Sequence, residues 1–391
     1  MPSKRYRVAV IGSTGHGDYG HGIDTAFQGL ERAEIVAVAD DNAAGLKLAA
    51  QRLKVASTFA DYREMLDRVK PEVVCVGPRW VTDRVAVLQA VAQAGCHVYC
   101  EKPFVADLAS ADAIQSAFAT HRGRLAMAHQ WRAMPPVQRA FAEIRAGKSG
   151  RVLRMRARPK DDARGGGEEL LVHGTHWFDL MIALAGPPRW VSGHIQMNSR
   201  EATTADRREG SEPVGPICGD SVLAVFGFDD GVLGSFDSTA NTSPGSRRSA
   251  NNEQPKPMWD SVYGLTIECE DAVLQLRQPG DVFVYPANGV LPDFEQIQWK
   301  KLWVEDWHFT PEHQPRPIRQ EWLAHGNRTL ANDLLDAVEK NREPLSPLRH
   351  ALLITEMVQG VYASHFADGR RLPESCSCRF SGPASSADVR H

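Results

Sequence analysis

The sequence lacks the features that would tie the protein to a membrane or to nucleic acid. No apolar run approaches the roughly 18 residues that a membrane-spanning helix requires, so we expect no membrane partner. The 45 Lys and Arg residues nearly balance the 48 Asp and Glu residues, and the net charge of −3 predicts no basic surface for nucleic acid. Seven cysteines, most of them inside apolar runs, are typical of a reducing cytosol and predict a cytoplasmic protein.

Neither a disulfide framework nor a metal site is expected. The cysteines are scattered, and only Cys376 and Cys378 lie close together, without a further ligand beside them. What the chain does have is the composition of a large globular protein, with 42% hydrophobic and 24% charged residues. Its 391 residues predict two or three domains, at roughly 150 residues each.

The first 128 residues alternate between short Val-rich runs and helix-like stretches. The predicted strands are 7–11, 34–40, 72–76, 97–100 and 124–128, and the predicted helices are 43–53, 61–69, 81–94 and 107–120. Apolar strands that alternate with helices are typical of a parallel sheet covered on both faces. Residues 1–128 are therefore predicted to form a doubly wound, Rossmann-type α/β domain.

After residue 128 the pattern changes to longer strands. Helices are predicted at 136–146 and 169–184, and the Asp229-Asp230-Gly231 turn indicates a hairpin between two of the later strands. We expect residues 129–375 to form a second α/β domain with an open, mainly antiparallel sheet, which binds substrate and forms oligomers.

Two late helices, two long loops and a flexible tail are also predicted from the sequence. Two late helices within about 330–366 carry apolar residues at helical spacing and are expected to pack back on the first domain. Segments 200–218 and 240–258 are predicted to be long loops, which are often functional. Residues 376–391 are predicted to be a flexible tail.

A glycine-rich turn follows the first predicted strand. Glycine lets the backbone approach a ligand closely, and a helix after the turn would offer free N–H groups to a pyrophosphate. Gly15, Gly17 and Gly20 have the Gly-x-Gly-x-x-Gly spacing in this strand-to-helix context. We therefore predict a dinucleotide site that involves Gly12, Gly15, Gly17 and Gly20, in preference to a merely flexible turn.

Asp40 ends the second predicted strand. A carboxylate at that point can accept hydrogen bonds from both ribose hydroxyls of an adenosine, and it repels a 2′-phosphate. The sequence therefore predicts NAD as the cofactor, preferred over NADP.

Glu101-Lys102-Pro103 follows the predicted strand 97–100, at the edge of the sheet where ligands of such folds bind. We expect Glu101 beside the cofactor and Lys102 beside the nicotinamide. Partial burial and the like charge of an oxidised ring would lower the pKa of Lys102, which could then take a hydroxyl proton as hydride leaves. The alternative is a solvated surface lysine.

A carboxylate and two imidazoles share one face of the helix predicted near 170–184. Glu169, Val172, His173 and His176 have spacings of 0, 3, 4 and 7, which places them on the same side. A single histidine would be interpreted as a core residue. The group as a whole predicts an acid/base or substrate-binding cluster.

These motifs together resemble the glucose–fructose oxidoreductase, inositol dehydrogenase and rhizopine catabolism (Gfo/Idh/MocA) family. The residues that carry the resemblance are the glycine loop, Asp40, Glu101-Lys102-Pro103, Gly165-Gly166-Gly167, Gly174, His176 and Asp179. The resemblance covers almost the whole chain and implies a Rossmann domain, a C-terminal domain whose open sheet usually forms oligomers, and NAD(P)-dependent oxidation of sugars or cyclitols. It also implies that Lys102 is the catalytic lysine and His176 the active-site histidine.

One departure from the family concerns Val172, where related proteins often carry an Asp four residues before the histidine. Valine cannot orient an imidazole, so either Glu169 or His173 takes over this role or the chemistry is altered. The loop around His21 also departs from the common pattern, which makes His21 a candidate substrate contact.

Two residues at the ends of other strands are further candidates for substrate binding. Arg79 and His129 follow the predicted strands 72–76 and 124–128. Arg79 is equally well interpreted as a surface residue that packs over the neighbouring Trp80.

Three functions are compatible with these residues. The first is NAD-dependent oxidation of a secondary hydroxyl of a sugar, sugar derivative or cyclitol by a homodimer or homotetramer. The second is redox-neutral glycoside cleavage or elimination with tightly bound, recycled NAD. The third is a non-catalytic sensor that binds NAD or sugar, and retention of Lys102 and His176 counts against it.

Overall fold

The computed structural model describes residues 5–121, 123–241, 263–277, 280–286, 299–302, 304 and 318–373. The predicted tail at 376–391 and residues 242–258 of the second predicted loop lie outside the described residues. No helix in the described ranges is long and apolar enough to cross a membrane.

The N-terminal sheet has six parallel strands. They are Tyr6–Ile11 (β1), Ala33–Ala39 (β2), Thr58–Phe59 (β3), Val73–Val76 (β4), His97–Cys100 (β5) and Leu125–Met127 (β6). The spatial order is β3-β2-β1-β4-β5-β6, which confirms the predicted Rossmann fold. β3 was not predicted, because a strand of two residues leaves no periodic pattern.

Four helices cover this sheet, and short polar residues fix where three of them begin. The helices are Ala43–Leu53 (α1), Tyr62–Val69 (α2), Arg84–Gln93 (α3) and Leu108–Thr120 (α4). The side chains of Asn42, Asp61 and Asp107 accept hydrogen bonds from backbone N–H groups in the first turns of α1, α2 and α4.

The helix that was expected after the glycine loop does not form, so that prediction was wrong. Between β1 and β2 the chain makes only a single 3₁₀ turn, Ile23–Thr25. Gly22 and Gly29 bracket this turn with φ values of 74° and 75°, a conformation that interrupts a helix. Ile23 and Phe27 are buried there against the sheet and fill the place of the helix.

The predicted helix over 169–184 is two helices, which corrects the single element expected from the sequence. After Pro135–Arg145 (α5), the chain forms Gly167–Val172 (α6) and Gly174–Ala185 (α7). The break falls at His173, directly before Gly174, and glycine has a weak helix propensity.

The second sheet is mixed and mostly antiparallel, as predicted. Its strands are Val152–Arg158 (β7), Trp190–Met197 (β8), Arg200–Glu201 (β9), Ser221–Gly227 (β12), Leu233–Thr239 (β13), Gly264–Cys269 (β14), Ala272–Arg277 (β15), Asp281–Pro286 (β16), Lys300–Lys301 (β17) and Leu372–Pro373 (β18). Only the β7–β13 pair is parallel among the described pairs of this sheet.

The segment 200–218 was predicted to be a long loop, and this is only partly correct. Besides β9 it contains a two-stranded ribbon of Arg207–Glu209 (β10) and Pro216–Cys218 (β11). Strands this short and polar carry no alternating apolar pattern that would reveal them in the sequence.

The two late helices lie against the first sheet. They are Ile318–Glu339 (α8) and Leu348–His365 (α9). Leu330 and Leu334 of α8 belong to the apolar cluster on one side of the parallel sheet, and Leu352 of α9 belongs to the cluster on the other side. α9 also packs against β8 of the second sheet, so it connects the two sheets.

Candidate active site

Lys102 lies buried just after β5, at the carboxyl edge of the parallel sheet, with 3% of its surface exposed. Its Nζ donates a hydrogen bond of 3.1 Å to the backbone carbonyl of Val172. Burial lowers the pKa of Lys102, although Glu101 and other nearby carboxylates oppose the shift. A buried lysine with a lowered pKa is suited to proton transfer.

Side chains from both parts of the chain meet Lys102 in one small pocket of about 30 Å³. The residues that line it are His21, Lys102, Gln130, Trp131, Lys160, His173, His176, Tyr263, Trp322 and Leu323. The structure thus brings Lys102, His173 and His176 together, as their motifs suggested, and it adds His21 from the glycine loop.

Glu169 does not line this pocket but contacts His173, which does. Its Oε2 lies 2.5 Å from Nδ1 of His173, and the carboxylate is fully buried. Burial raises the pKa of Glu169, to about 8, and burial together with the charges of Lys160 and Lys102 holds the pKa of His173 well below its usual value. The pair therefore holds one proton between the carboxylate and the imidazole at neutral pH.

His176 offers a neutral ring to the pocket. Burial, with the nearby charge of Lys102, holds its pKa well below the usual value. The ring packs edge-on against His129 at a centroid distance of 5.5 Å. Its Nδ1 is buried and has no hydrogen-bond partner among the described residues, while the ring lines the pocket.

His129 lies behind His176 and does not line the pocket. Its Nδ1 is 2.9 Å from Oγ of Ser346. Ser346 in turn donates to Asp179, whose Oδ1 also lies 2.8 Å from Nδ1 of His350. These contacts connect α7 to α9 and fix the position of His176.

Glu101 connects the glycine loop to the carboxyl edge of the parallel sheet. Its Oε2 accepts a hydrogen bond of 2.9 Å from the N–H of His21, and its Oε1 lies 3.2 Å from Nδ1 of the same ring. Burial alone would raise the pKa of Glu101, but His21 and Lys102 outweigh it and lower the pKa. Glu101 therefore remains ionised and orients His21.

Arg79 contacts Glu212 and does not line the pocket. Its Nη1 lies 3.6 Å from Glu212, which also accepts a hydrogen bond of 2.6 Å from Arg164. Arg79 thus connects the loop after β4 to the segment around Glu212 and takes no part in lining the pocket.

Several pocket residues were not predicted from the sequence. Lys160 follows β7 and is 7% exposed, and its Nζ lies 5.9 Å from the ring centroid of Tyr263. Trp322 reaches the pocket from α8. None of these three residues belongs to a local motif, so no pattern in the sequence could reveal them.

A groove of about 440 Å³ lies at the carboxyl ends of β1, β2 and β4, where a dinucleotide binds in this fold. Its walls include Gly12, Ser13, Asp40 and Asp41. The position of the groove and its acidic end fit the adenosine half of NAD. No helix N-terminus follows the glycine loop, so the loop has no helix dipole to offer to a pyrophosphate.

The glycines of the loop have different structural roles. A Cβ on Gly12, Gly17 or Gly20 would lie within 2.5 Å of Tyr19, Arg79 or Glu101 respectively, so these three permit close packing. Gly15 has φ +87°, and a Cβ on it would have no atom within 4 Å, which leaves this position open to a ligand.

No group of three or more His, Cys, Asp or Glu side chains is arranged to hold a metal ion within the described ranges.

The chain is similar to known oxidoreductases. Residues 6–129 match the family described as "Oxidoreductase family, NAD-binding Rossmann fold", and residues 137–254 match "GFO/IDH/MocA C-terminal domain". The chain is 25% identical over 300 residues to the rhizopine catabolism protein MocA of Rhizobium meliloti, across 75% of this chain and 86% of that protein.

Levoglucosan dehydrogenase is named both for a further relative and for a solved structure of similar fold. The chain is 25% identical over 218 residues to the enzyme of Pseudarthrobacter phenanthrenivorans, across 49% of this chain and 55% of that one. A solved structure of levoglucosan dehydrogenase in complex with NADH and levoglucosan superposes with a TM-score of 0.71 at 17% identity. It covers 95% of this chain and 100% of that one, so the two proteins share a fold.

Proposed function

Because the chain belongs to the Gfo/Idh/MocA family of NAD-binding oxidoreductases, which act on CH–OH groups, we propose that it oxidises a secondary hydroxyl of a sugar, sugar derivative or cyclitol. The observation that carries the proposal is the convergence of Lys102, His173 and His176 in one buried pocket at the carboxyl edge of the Rossmann sheet. The relatives named for sugar oxidation support the same substrate class.

Lys102 is the proton acceptor in this proposal. Bound NAD would supply the hydride acceptor. Neutral Lys102 removes the hydroxyl proton as hydride leaves the carbon, and the carbonyl of Val172 holds its Nζ in place. The lowered pKa of Lys102 raises the fraction of neutral amine near neutral pH.

His176 and His173 position the substrate. His176 presents a neutral imidazole that can bond to a hydroxyl in the pocket, and His173 exchanges a proton with Glu169. Trp131 and Tyr263, at a centroid distance of 6.2 Å, give the pocket an aromatic wall suited to the C–H face of a sugar.

We also propose that NAD is preferred over NADP, because acidic residues end β2 at the groove. The proposed assembly is a homodimer or homotetramer formed through the open second sheet. The five described cysteines are free thiols, which supports a cytoplasmic location.

The test is to mix the purified protein with NAD⁺ and a panel of sugars and cyclitols, and to follow absorbance at 340 nm. Accumulation of free NADH with at least one secondary alcohol is the expected result. Nucleotide and sugar binding without any turnover across the panel would contradict the proposal and favour a sensor.

A second candidate function rests on the extra acid/base pairs. Glu169–His173 and Glu101–His21 both reach the pocket beside Lys102. Oxidation at one carbon acidifies the adjacent C–H. A base could then take that proton while a leaving group departs from the next carbon. Water could add at the carbon that lost the leaving group. Return of the proton and of the hydride would then give net hydrolysis.

Deuterium incorporation from D₂O distinguishes the two candidate functions. In D₂O, the redox-neutral reaction leaves deuterium at the carbon next to the transiently oxidised one, and tightly bound nucleotide shows no net reduction. Simple oxidation gives stoichiometric NADH and does not require exchange at that carbon.

A further inference from the structure

We propose that Asp41, and not Asp40, is the carboxylate that binds the adenosine ribose of NAD and discriminates against NADP, while Asp40 anchors the glycine loop. The inference rests on the proposed function, since it concerns how the same groove holds its cofactor. It departs from the expectation that the acid at the end of β2 contacts the ribose directly.

Asp40 has no acceptor site left for a ligand. Its Oδ1 accepts hydrogen bonds from the N–H of Thr14 (3.1 Å) and of Asn42 (2.9 Å). Its Oδ2 accepts from the hydroxyls of Thr14 and Tyr19, both at 2.7 Å. An ionised carboxylate has about four lone-pair sites, so these four donors saturate it. The residue is also 1% exposed.

Tyr19 opposes the replacement of these hydrogen bonds to Asp40 by a ribose hydroxyl. Its ring occupies the space over Gly12, where a Cβ would lie 2.2 Å from ring atoms, and it is 9% exposed. A ribose hydroxyl that replaced Tyr19 on Asp40 would leave a buried phenol without an acceptor. Such unsatisfied buried donors are costly, so Asp40 is expected to keep the loop contacts.

Asp41 is the next residue and has the properties that Asp40 lacks. It is exposed and lines the groove at the same edge of the sheet. Its Oδ1 accepts a hydrogen bond of 3.1 Å from Ser13, and its other oxygen has no partner among the described residues. An oxygen of this kind can accept from a ribose diol, and its charge repels a 2′-phosphate.

Two arginines line the groove, and both have partners. The buried Arg84 donates hydrogen bonds to the backbone carbonyls of Pro78 and Glu101, and Nη1 of the exposed Arg63 lies 3.8 Å from Oδ1 of Asp61. A 2′-phosphate would therefore meet an acidic environment, in which Asp41 is the exposed group beside the glycine loop.

The experiment compares dissociation constants for NAD⁺ and NADP⁺, measured by calorimetry without substrate, and melting temperatures. The unmodified protein should prefer NAD⁺ by at least about tenfold, which corresponds to about 1.4 kcal/mol. Asp41→Asn should reduce this preference to within about threefold and leave the melting temperature unchanged.

Asp40→Asn is the matched control. It should lower the melting temperature and weaken both nucleotides by a similar factor, because it disturbs the loop and not the discrimination. Tyr19→Phe removes one donor to Asp40 and should also keep the nucleotide preference, which provides a control if Asp40→Asn does not fold.

An unchanged preference in Asp41→Asn would overturn the inference while leaving the proposed function intact. A preference lost in Asp40→Asn at an unchanged melting temperature would do the same. Failure of the unmodified protein to bind either nucleotide would contradict the proposed function, and this inference with it.

Discussion

At position 172 the backbone, and not the side chain, contacts Lys102. Val172 has no group that could replace a carboxylate, but its carbonyl accepts the hydrogen bond from Lys102. The carboxylate lies three residues earlier, at Glu169, and is paired with His173. The sequence indicated that Glu169 or His173 could take over from the absent Asp, but only the folded structure reveals the contact made by the carbonyl.

The Glu169–His173 pair predicts a specific pH dependence of stability. The pKa of Glu169 rises from 4.5 unfolded to about 8 folded, so the folded state binds an extra proton in that range and stability falls as pH rises. The pKa of His173 is lowered from its unfolded value of 6.5, so below pH 6.5 this residue makes stability rise as pH rises. Below pH 6.5 the effects of Glu169 and His173 on stability cancel. The net loss of stability therefore occurs between about pH 6.5 and 8.

Glu169→Gln should remove this loss. Denaturant unfolding at pH 6.5 and pH 8 should show that the unmodified protein loses up to about 2 kcal/mol between the two conditions, and that the variant loses less. Equal losses in both proteins would mean that Glu169 is already ionised in the folded state at pH 6.5.

At the scale of single elements, the sequence predicted most strands and helices because burial and capping leave local patterns. α1 occupies the predicted residues 43–53, since Asn42 accepts a hydrogen bond from its first turn. The glycine loop misled the prediction, because its fingerprint implied a helix that Gly22 and Gly29 prevent. Glycine spacing alone does not distinguish glycines that face a ligand from those that permit packing.

The loop offers a matched pair of substitutions to test that distinction. Gly20→Ala would place a Cβ 2.4 Å from Oε2 of Glu101 and 2.7 Å from the carbonyl of Gly77, at φ +60°. Gly15→Ala has φ +87° and no atom within 4 Å, so it carries only backbone strain of about 1–2 kcal/mol. We expect Gly20→Ala to lose more free energy of unfolding than Gly15→Ala.

Denaturant titration of the two variants measures this difference directly. Because Glu101 also holds His21, Gly20→Ala should impair turnover as well as stability. Equal losses of stability would show that the loop has room to move away from Glu101.

At the scale of the whole molecule, the pocket depends on the packing of distant segments. His21 and Lys102 lie in segments that follow β1 and β5 of the first sheet, while His176 comes from α7 and Trp322 from α8. Local patterns identified Lys102, which directly follows a strand and Glu101, and His176, which has helical spacing to Glu169. Trp322 could not be predicted, since it reaches the site only through the tertiary fold.

The open second sheet predicts a homo-oligomer. Leu153 on β7 and Leu223 on β12 are 39% and 49% exposed in the single chain, and burial of such side chains favours association. Light scattering at micromolar concentration should give a mass of two or four times 43.1 kDa. A mass near that of one chain would contradict an assembly through this sheet.

Turnover of Lys102→Ala tests most directly whether Lys102 transfers the proton during oxidation. With a substrate identified from the panel, NADH formation at 340 nm should fall at least about a hundredfold, while NAD⁺ affinity measured by calorimetry stays within a few fold. Val172→Ala keeps the carbonyl that holds Lys102, so this control should retain turnover within a few fold. Near-normal turnover of Lys102→Ala at neutral pH would contradict the account and make Glu169 or His173 the proton acceptor.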